Sequence, residues 1–556
     1  MTSRRAAQIL VDQLKIHGVD TAFGVPGESY LALLDALHDA NSIRLTVCRQ
    51  EGGAAMMAEA YGKLTGRPGL CLVTRGPGTT NATAGIHVAM QDSTPMIVLI
   101  GQVARDSRGR EALQELDYKQ FLGGMVKYVE EIADPRRIPE YVSRAFYVAT
   151  SGRPGPVALA LPEDMLDETA DVADAEPYGR IEAHPSPRQL EALAAILAKA
   201  SRPVLLLGGS QWDEAAAKQI ETFADAFALP VCTGFRRQDR FDNRHNCYAG
   251  DLGIAANPKL AARVRDADVL IVLGGRLGEA TTAGYSLVAV PHPRQTLVHI
   301  HPDPDELGRV YQPALAINAS PRTFAPLAAA LKPASKPRWA GETEAAHRDY
   351  LVYVEPSKLP GAVQLGAIVR WLDANLPADA IWCNGAGNFA GWVHRHHQYR
   401  GYGTQLAPAS GSMGYGFPAA VAAKLVHPDR AVVCFCGDGD FLMTGQELAT
   451  AVRYRLPFVT LIVNNGMYGT IRMHQEAHFP GRTYGTDLVN PDFAALARAY
   501  GAHGETVERT EDFAAAFARA AAAGRPAVLD LKVDPEAITT RSTIADLRAA
   551  ATKTAR

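Results

Sequence analysis

The sequence predicts an α/β protein of three doubly wound parallel-sheet domains, and three observations carry that prediction. Apolar runs of strand length recur along the chain: GLCLVTRGPG, MIVLIGQ, VALALP, PVLLLGG, VLIVLGG, LVHIH, AVVCFCGDG and FVTLIVNNG. A strand apolar at every position is buried on both faces, the condition of a parallel strand covered by helices. Helical patterns separate these runs, and nearly every run stops at Gly, Pro, Asp or Asn, so ligand-binding turns are expected beyond the carboxyl ends of the strands. Finally, 556 residues exceed what one hydrophobic core organises, and two breaks in composition divide them.

From the N-terminus, MTSRRAAQILVDQLKIHGVD sets Ile9, Leu10, Leu14 and Ile16 among charges, which predicts an amphipathic helix and not a signal peptide. The first domain, 1–170, gives way to the acidic stretch DETADVADAEPYGRIEAHPSPRQ, roughly 166 to 188. A central domain, 188–332, ends at the proline- and charge-rich LKPASKPRWAGETEAAHRD, and a C-terminal domain follows over 350–536. The tail, 537–556, reads as a lid or as a solvated helix.

A net charge of −3 gives no electrostatic reason to expect nucleic acid or an anionic membrane as partner, and no apolar run reaches the length of a membrane span. Seven scattered cysteines form no metal-spaced cluster. A cytoplasmic enzyme with a small-molecule substrate is expected.

Asp438 in CFCGDGDFLM stands where a strand ends, and the next apolar run, FVTLIV, ends in Asn464 and Asn465. The 24 residues from Asp440 to Val463 suffice for a helix, patterned in GQELATAVRYR, and a return to the sheet. Neighbouring parallel strands would then present a carboxylate beside a carboxamide, an oxygen donor set suited to Mg²⁺ bridged to phosphates. Gly437 and Gly439 permit close backbone approach, and the amides of Gly439 and Asp440 open a helix where an anion is favoured.

This spacing of GDG and NN resembles the signature of the thiamine diphosphate enzyme superfamily. The resemblance covers almost the whole chain, in the order pyrimidine-binding, central and diphosphate-binding domain, and leans to the acetolactate synthase and pyruvate oxidase branch. It implies thiamine diphosphate and Mg²⁺ as cofactors, with Asp438, Asn465 and the carbonyl of Met467 as metal ligands. It also implies cofactor contacts at Gly387, Asn388, Gly411, Gly437, Gly439, Asp440, Tyr468 and Gly469, with Met413 as an apolar wedge beneath the cofactor. In RLTVCRQEGGAAMM, Glu51 follows a short strand and begins a helix. By itself it reads as a first-turn glutamate complementing the helix dipole. The resemblance makes it the acid that hydrogen-bonds the cofactor's aminopyrimidine, supporting the imino form that acts as base on the thiazolium carbon.

TRGPGTTNA (74–82) resembles a segment near the family's active site, and Gln114 and Lys127 match residues of acetolactate synthases. Departures are informative. Glu28 replaces a glycine and offers a candidate general acid, Leu113 replaces phenylalanine, and His474 replaces the tryptophan that selects 2-oxobutyrate. Arg472 and the missing His-His pair exclude a standard decarboxylase. Arg276 fits the branch's FAD site but the aspartates and second arginine after it are missing, so FAD is expected to be absent or weakly held. The expected activity is decarboxylation of a 2-oxo acid, pyruvate first, and carboligation to a 2-oxo acid or aldehyde. The alternatives are a 2-hydroxy ketone or 2-hydroxyacyl-CoA lyase and a 2-oxo acid decarboxylase. A homodimer or homotetramer with active sites between subunits is implied.

Overall fold

A computed structural model describes residues 3–554; the predicted first domain and tail run past these to positions that lie outside the described residues. All eight apolar runs are strands, and they form the interiors of three six-stranded sheets whose every pairing is parallel. Burial on both faces is the reason: Met96–Gln102, Pro156–Pro162, Pro203–Leu207 and Val432–Gly437 are buried at every position. Edge strands are shorter or half-exposed, as in Gln405–Leu406 and Tyr128–Glu131, and leave no apolar run to read.

The N-terminal sheet runs, edge to edge, Arg44–Val47, Thr21–Gly24, Gly69–Thr74, Met96–Gln102, Pro156–Pro162 and Tyr128–Glu131. In sequence terms this is 2-1-3-4-6-5. The C-terminal sheet repeats that order with Gln405–Leu406, Ile381–Asn384, Val432–Gly437, Val459–Asn464, Ala527–Lys532 and His503–Val507. The central sheet differs. Tyr248–Asp251, Val231–Thr233, Pro203–Leu207, Val269–Leu273, Thr296–His301 and Leu315–Asn318 follow the 3-2-1-4-5-6 order of dinucleotide-binding folds. In each sheet the order reverses beside the first strand, which fixes the crevice where a ligand has room.

Contacts gather the chain into two compact units. One holds residues 1–181 together with 417–428 and 444–454; the other holds 182–416, 429–443 and 455–556. All seven cysteines are buried, and none forms a disulfide. No helix among the described residues is long and apolar enough to cross a membrane.

Candidate active site

Val432–Gly437 borders the switch point of the C-terminal sheet, and on its other side Gly437 pairs with Val463, so Asp438 and Asn464 leave adjacent strands side by side. The Asp438 carboxylate is buried and held by three donors: the amides of Gly439 and Gly466 and the Asn490 side-chain Nδ2, each at 2.8 Å. Asn490 also donates to Asn464 Oδ1 at 3.0 Å, and Asn464 Nδ2 donates to Asp530 Oδ1 at 3.0 Å. The two asparagines therefore divide: Asn464 props the residue that props Asp438, and Asn465 faces the crevice. Burial pushes the Asp438 carboxyl above its ordinary range against the pull of its donors. A cation beside it would reverse that push.

The crevice is a cavity of about 240 Å³ whose walls include all twelve C-terminal residues singled out from the sequence, from Gly387 to Gly469. Small residues are obligatory in it. A Cβ on Gly437 would sit 2.9 Å from the Phe389 ring, one on Gly439 2.6 Å from the Tyr468 ring, and Gly411 holds φ +71°. The turn after Asn465 is pinned by Tyr468 N donating to Thr486 O and Leu488 N donating to Gly466 O, both at 2.8 Å. Asn465 Oδ1 accepts from Met467 N at 3.2 Å.

Two of the twelve serve the wall itself. Asp440 is buried, its Oδ1 accepts from Gly414 N at 2.8 Å and Ala386 N at 3.1 Å, and burial lifts its carboxyl to about 6. It fastens two turns of the cavity together. The Asn388 amide donates to Ile538 O at 2.9 Å and its oxygen accepts from Thr470 Oγ1 at 3.0 Å. Ile538 belongs to the C-terminal tail, so the tail forms part of this wall.

In the other unit, Glu51 is the first residue of the helix Glu51–Thr65, capped by Gln50, whose side chain accepts from Gly53 N. Glu51 Oε2 accepts from Asn81 Nδ2 at 3.0 Å, and a Cβ on Gly78 would lie 3.5 Å from Oε1. The same turn, RGPG, reaches Gln114: Gly76 N donates to Gln114 O at 2.9 Å, and Gln114 itself holds φ +65°. Arg75 completes the junction. Its guanidinium donates to Glu163 at 2.7 Å and to Leu113 O at 3.3 Å, and lies 3.6 Å from Glu28 Oε1. Glu28 is exposed on a turn fixed by the Ser29–Thr74 hydroxyl contact of 2.6 Å. The start of the Arg75–Asp92 helix thus gathers Glu28, Glu51 and Gln114.

Lys127 takes another role, donating to the Val148 and Ser151 carbonyls at the end of the helix Ile138–Thr150. Leu113 and His474 are exposed. Sequence reasoning missed Asn490, Asp530 and Arg75. Asp530 carried a signal, as a fully buried acid within the apolar strand Ala527–Lys532. In the central domain the turns Gly208–Gly209 and Gly274–Gly275 meet backbone to backbone, a Cβ on Gly209 falling 1.8 Å from Gly274 O.

Family models described as thiamine pyrophosphate enzyme match the chain over three stretches: the N-terminal TPP binding domain over residues 4–121, the central domain over 190–327 and the C-terminal TPP binding domain over 385–531. The chain belongs to the thiamine pyrophosphate enzyme family. Within it, the chain is 33% identical over 543 residues to the acetolactate synthase large subunit of Parasynechococcus marenigrum, spanning 95% of this chain and 87% of that protein. It is 30% identical over 531 residues to the acetolactate synthase isozyme 2 large subunit of Escherichia coli, 95% of each. A probable acetolactate synthase large subunit of Methanocaldococcus jannaschii is 30% identical over 551 residues, 96% of this chain and 92% of that one.

Proposed function

We propose that this chain is a thiamine diphosphate- and Mg²⁺-dependent carboligase that decarboxylates a 2-oxo acid, pyruvate first, and joins the remaining fragment to a second carbonyl. The observation that carries this reading is convergence: residues from four separate segments, 387–388, 411–413, 437–440 and 465–469, line one cavity around a hydrogen-bonded carboxylate. The donor set fits the metal, being all oxygen with one negative charge.

In this reading Asp438, Asn465 and the Met467 carbonyl hold Mg²⁺, the glycines bring backbone amides to the diphosphate, and Met413 supports the ring system. The bound cofactor supplies a carbon that accepts the electron pair released with CO₂. Glu51 shares a proton with the aminopyrimidine nitrogen, and Asn81 fixes the direction in which that carboxylate points. Gln114 and Glu28, on turns that Gly76 and Arg75 contact, would serve the reacting carbons. Sequence similarity to the acetolactate synthases supports pyruvate as donor.

The assembly is a cytoplasmic homodimer or homotetramer in which Glu51 and the diphosphate site of one active centre come from different subunits. FAD is absent or weakly held in this reading, since the aspartates and second arginine that the branch carries after the position of Arg276 are missing from the sequence. The test is incubation with pyruvate, Mg²⁺ and thiamine diphosphate, with products identified by mass. Acetolactate supports the reading, acetaldehyde as sole product assigns Glu28 a proton-donating role in a decarboxylase, and no consumption of pyruvate rejects it. Mixing inactive Glu51→Gln and Asp438→Ala subunits tests the assembly: partial recovery is expected, and none after demonstrated exchange places the whole site in one chain.

A further inference from the structure

The segment GQELATAVRY lies only a few residues beyond Asp440, yet residues 444–454 pack in the unit that holds Glu51. Its acid, Glu447, is fully buried, and its hydrogen bonds come from two backbone amides and a hydroxyl. Glu447 Oε1 accepts from the amides of Arg49 at 3.1 Å and Gln50 at 3.0 Å, and Oε2 accepts from Thr450 Oγ1 at 2.6 Å. Arg49 and Gln50 are the two residues immediately before Glu51. Tyr454 works alongside it: its hydroxyl accepts from Val47 N at 2.8 Å and donates to Leu45 O at 3.3 Å, fastening the strand that leads into the same turn. Gly53, in the first turn of the Glu51 helix, presses on the carboxylate so closely that a Cβ there would sit 2.7 Å from Oε1.

Burial pushes the Glu447 carboxyl up, and the Thr450 hydroxyl and the two amides pull it back down. Backbone amides at the start of a helix are the natural partners of an anion, and the helix dipole favours it there. Removing the carboxylate strands two amides in the segment that delivers Glu51, and a turn whose amides are unpaired does not hold one geometry.

We infer that Glu447 is a positioning residue for Glu51, fixing the turn Arg49–Gln50 so that the Glu51 carboxylate starts from one orientation. The inference rests on the reading of Glu51 as the group that shares a proton with thiamine diphosphate. Glutamine can take the same place: its oxygen keeps the Arg49 and Gln50 amides, and its NH₂ donates to the Thr450 hydroxyl, which can accept. Alanine cannot.

Two measurements on the full-length protein test this. In cofactor-free protein, amide hydrogen exchange over residues 44–57 should rise in Glu447→Ala and stay near wild type in Glu447→Gln. With thiamine diphosphate and Mg²⁺ bound, hydrogen–deuterium exchange at the cofactor's C2 should fall about 10- to 100-fold in Glu447→Ala, the scale of a displaced catalytic group, with cofactor Kd within about threefold. Glu447→Gln should stay within about threefold of wild type in both. In a Glu51→Gln background, Glu447→Ala should cost nothing further, because it acts through Glu51. Should Glu447→Ala fail to fold, Gly53→Ala displaces the carboxylate by contact while favouring the helix, and a slower C2 exchange is again expected. Wild-type C2 exchange in both Glu447→Ala and Gly53→Ala overturns the inference, as does an equal further loss in the Glu51→Gln background. A wild-type protein that neither binds thiamine diphosphate nor exchanges C2 overturns the proposed function instead.

Discussion

The N-terminal and C-terminal sheets share one strand order, yet the turn after the third strand opens on an arginine in one and an aspartate in the other. Both turns are glycine-rich, RGPG after Gly69–Thr74 and DGDF after Val432–Gly437, and both begin a helix at the switch point. In the N-terminal sheet the turn is tied to its neighbours by side-chain bonds, and a pocket lined by Gln114 opens beside it. Arg75 donates to Glu163 and Leu113 O, and a Cβ on Gly27 would fall 2.3 Å from Thr74. In the C-terminal sheet the corresponding helix is one turn long, and a cavity of about 240 Å³ remains beside Asp438. Topology places a switch point in the same place twice; the first charge in the turn differs, an arginine bound into an internal ion pair in one sheet and an aspartate beside an open cavity in the other. Glu51 comes from elsewhere in its sheet, from the helix after Arg44–Val47.

The sharpest break between the two regions is expected from their two acids. Glu51→Gln should keep the fold and most of the cofactor affinity while lowering C2 exchange by roughly 10²- to 10⁴-fold, the usual worth of a positioned proton-transfer group. Near-normal exchange in that variant would sink the role assigned to Glu51. Asp438→Ala should do the reverse, weakening Mg²⁺-dependent cofactor binding by about 100-fold or more, as when one partner of a buried charge pair is removed. Undiminished affinity by calorimetry rejects Asp438 as a ligand.

Arg75 sharpens the comparison from the N-terminal side. Arg75→Met leaves Leu113 O and Glu163 without their partner and should cost about 1–3 kcal/mol of stability, with faster amide exchange over residues 108–117. Unchanged denaturation and exchange would mean that the Gln114 turn stands without it. A smaller effect concerns the acceptor. If, as proposed above, Glu28, Leu113 and His474 stand where acetolactate synthases carry glycine, phenylalanine and tryptophan, the apolar grip on an aliphatic 2-oxo acid is reduced, and pyruvate and 2-oxobutyrate should compete with a preference below about tenfold. A strong 2-oxobutyrate preference, resolved by mass, contradicts the proposed selectivity.

The smallest effect is at the tail. Arg548, on the helix Ile544–Thr554, pairs with the buried Glu476 at 2.7 Å, and this partner, then Gly481 N and Arg472, holds the Glu476 carboxyl down to about 2. An acid depressed in the folded state stabilises it above the acid's ordinary value near 4.5 and loses that contribution as the pH falls toward 2. Tail protection from proteolysis should therefore be complete at pH 7 and fail in strong acid, whereas Arg548→Ala should expose the tail already at pH 7. Equal cleavage of variant and wild type at pH 7 removes the pair from the account.

The parts of this protein that a sequence declares are those decided locally. A strand buried on both faces must be apolar throughout, and a turn crowded by neighbouring rings leaves room only for glycine; hence the interior strands and the glycine turns that close them are legible. The tertiary structure alone decided the supports, because their partners are remote in the chain. Asn490 holds Asp438 across 52 positions, Glu447 holds the turn before Glu51 across 397, and Lys127, matched by resemblance alone, caps a helix. Edge strands such as Gln405–Leu406 belong with these supports: paired along one side only, they need no apolar run, and the sheet recruits them through backbone hydrogen bonds that every sequence can make.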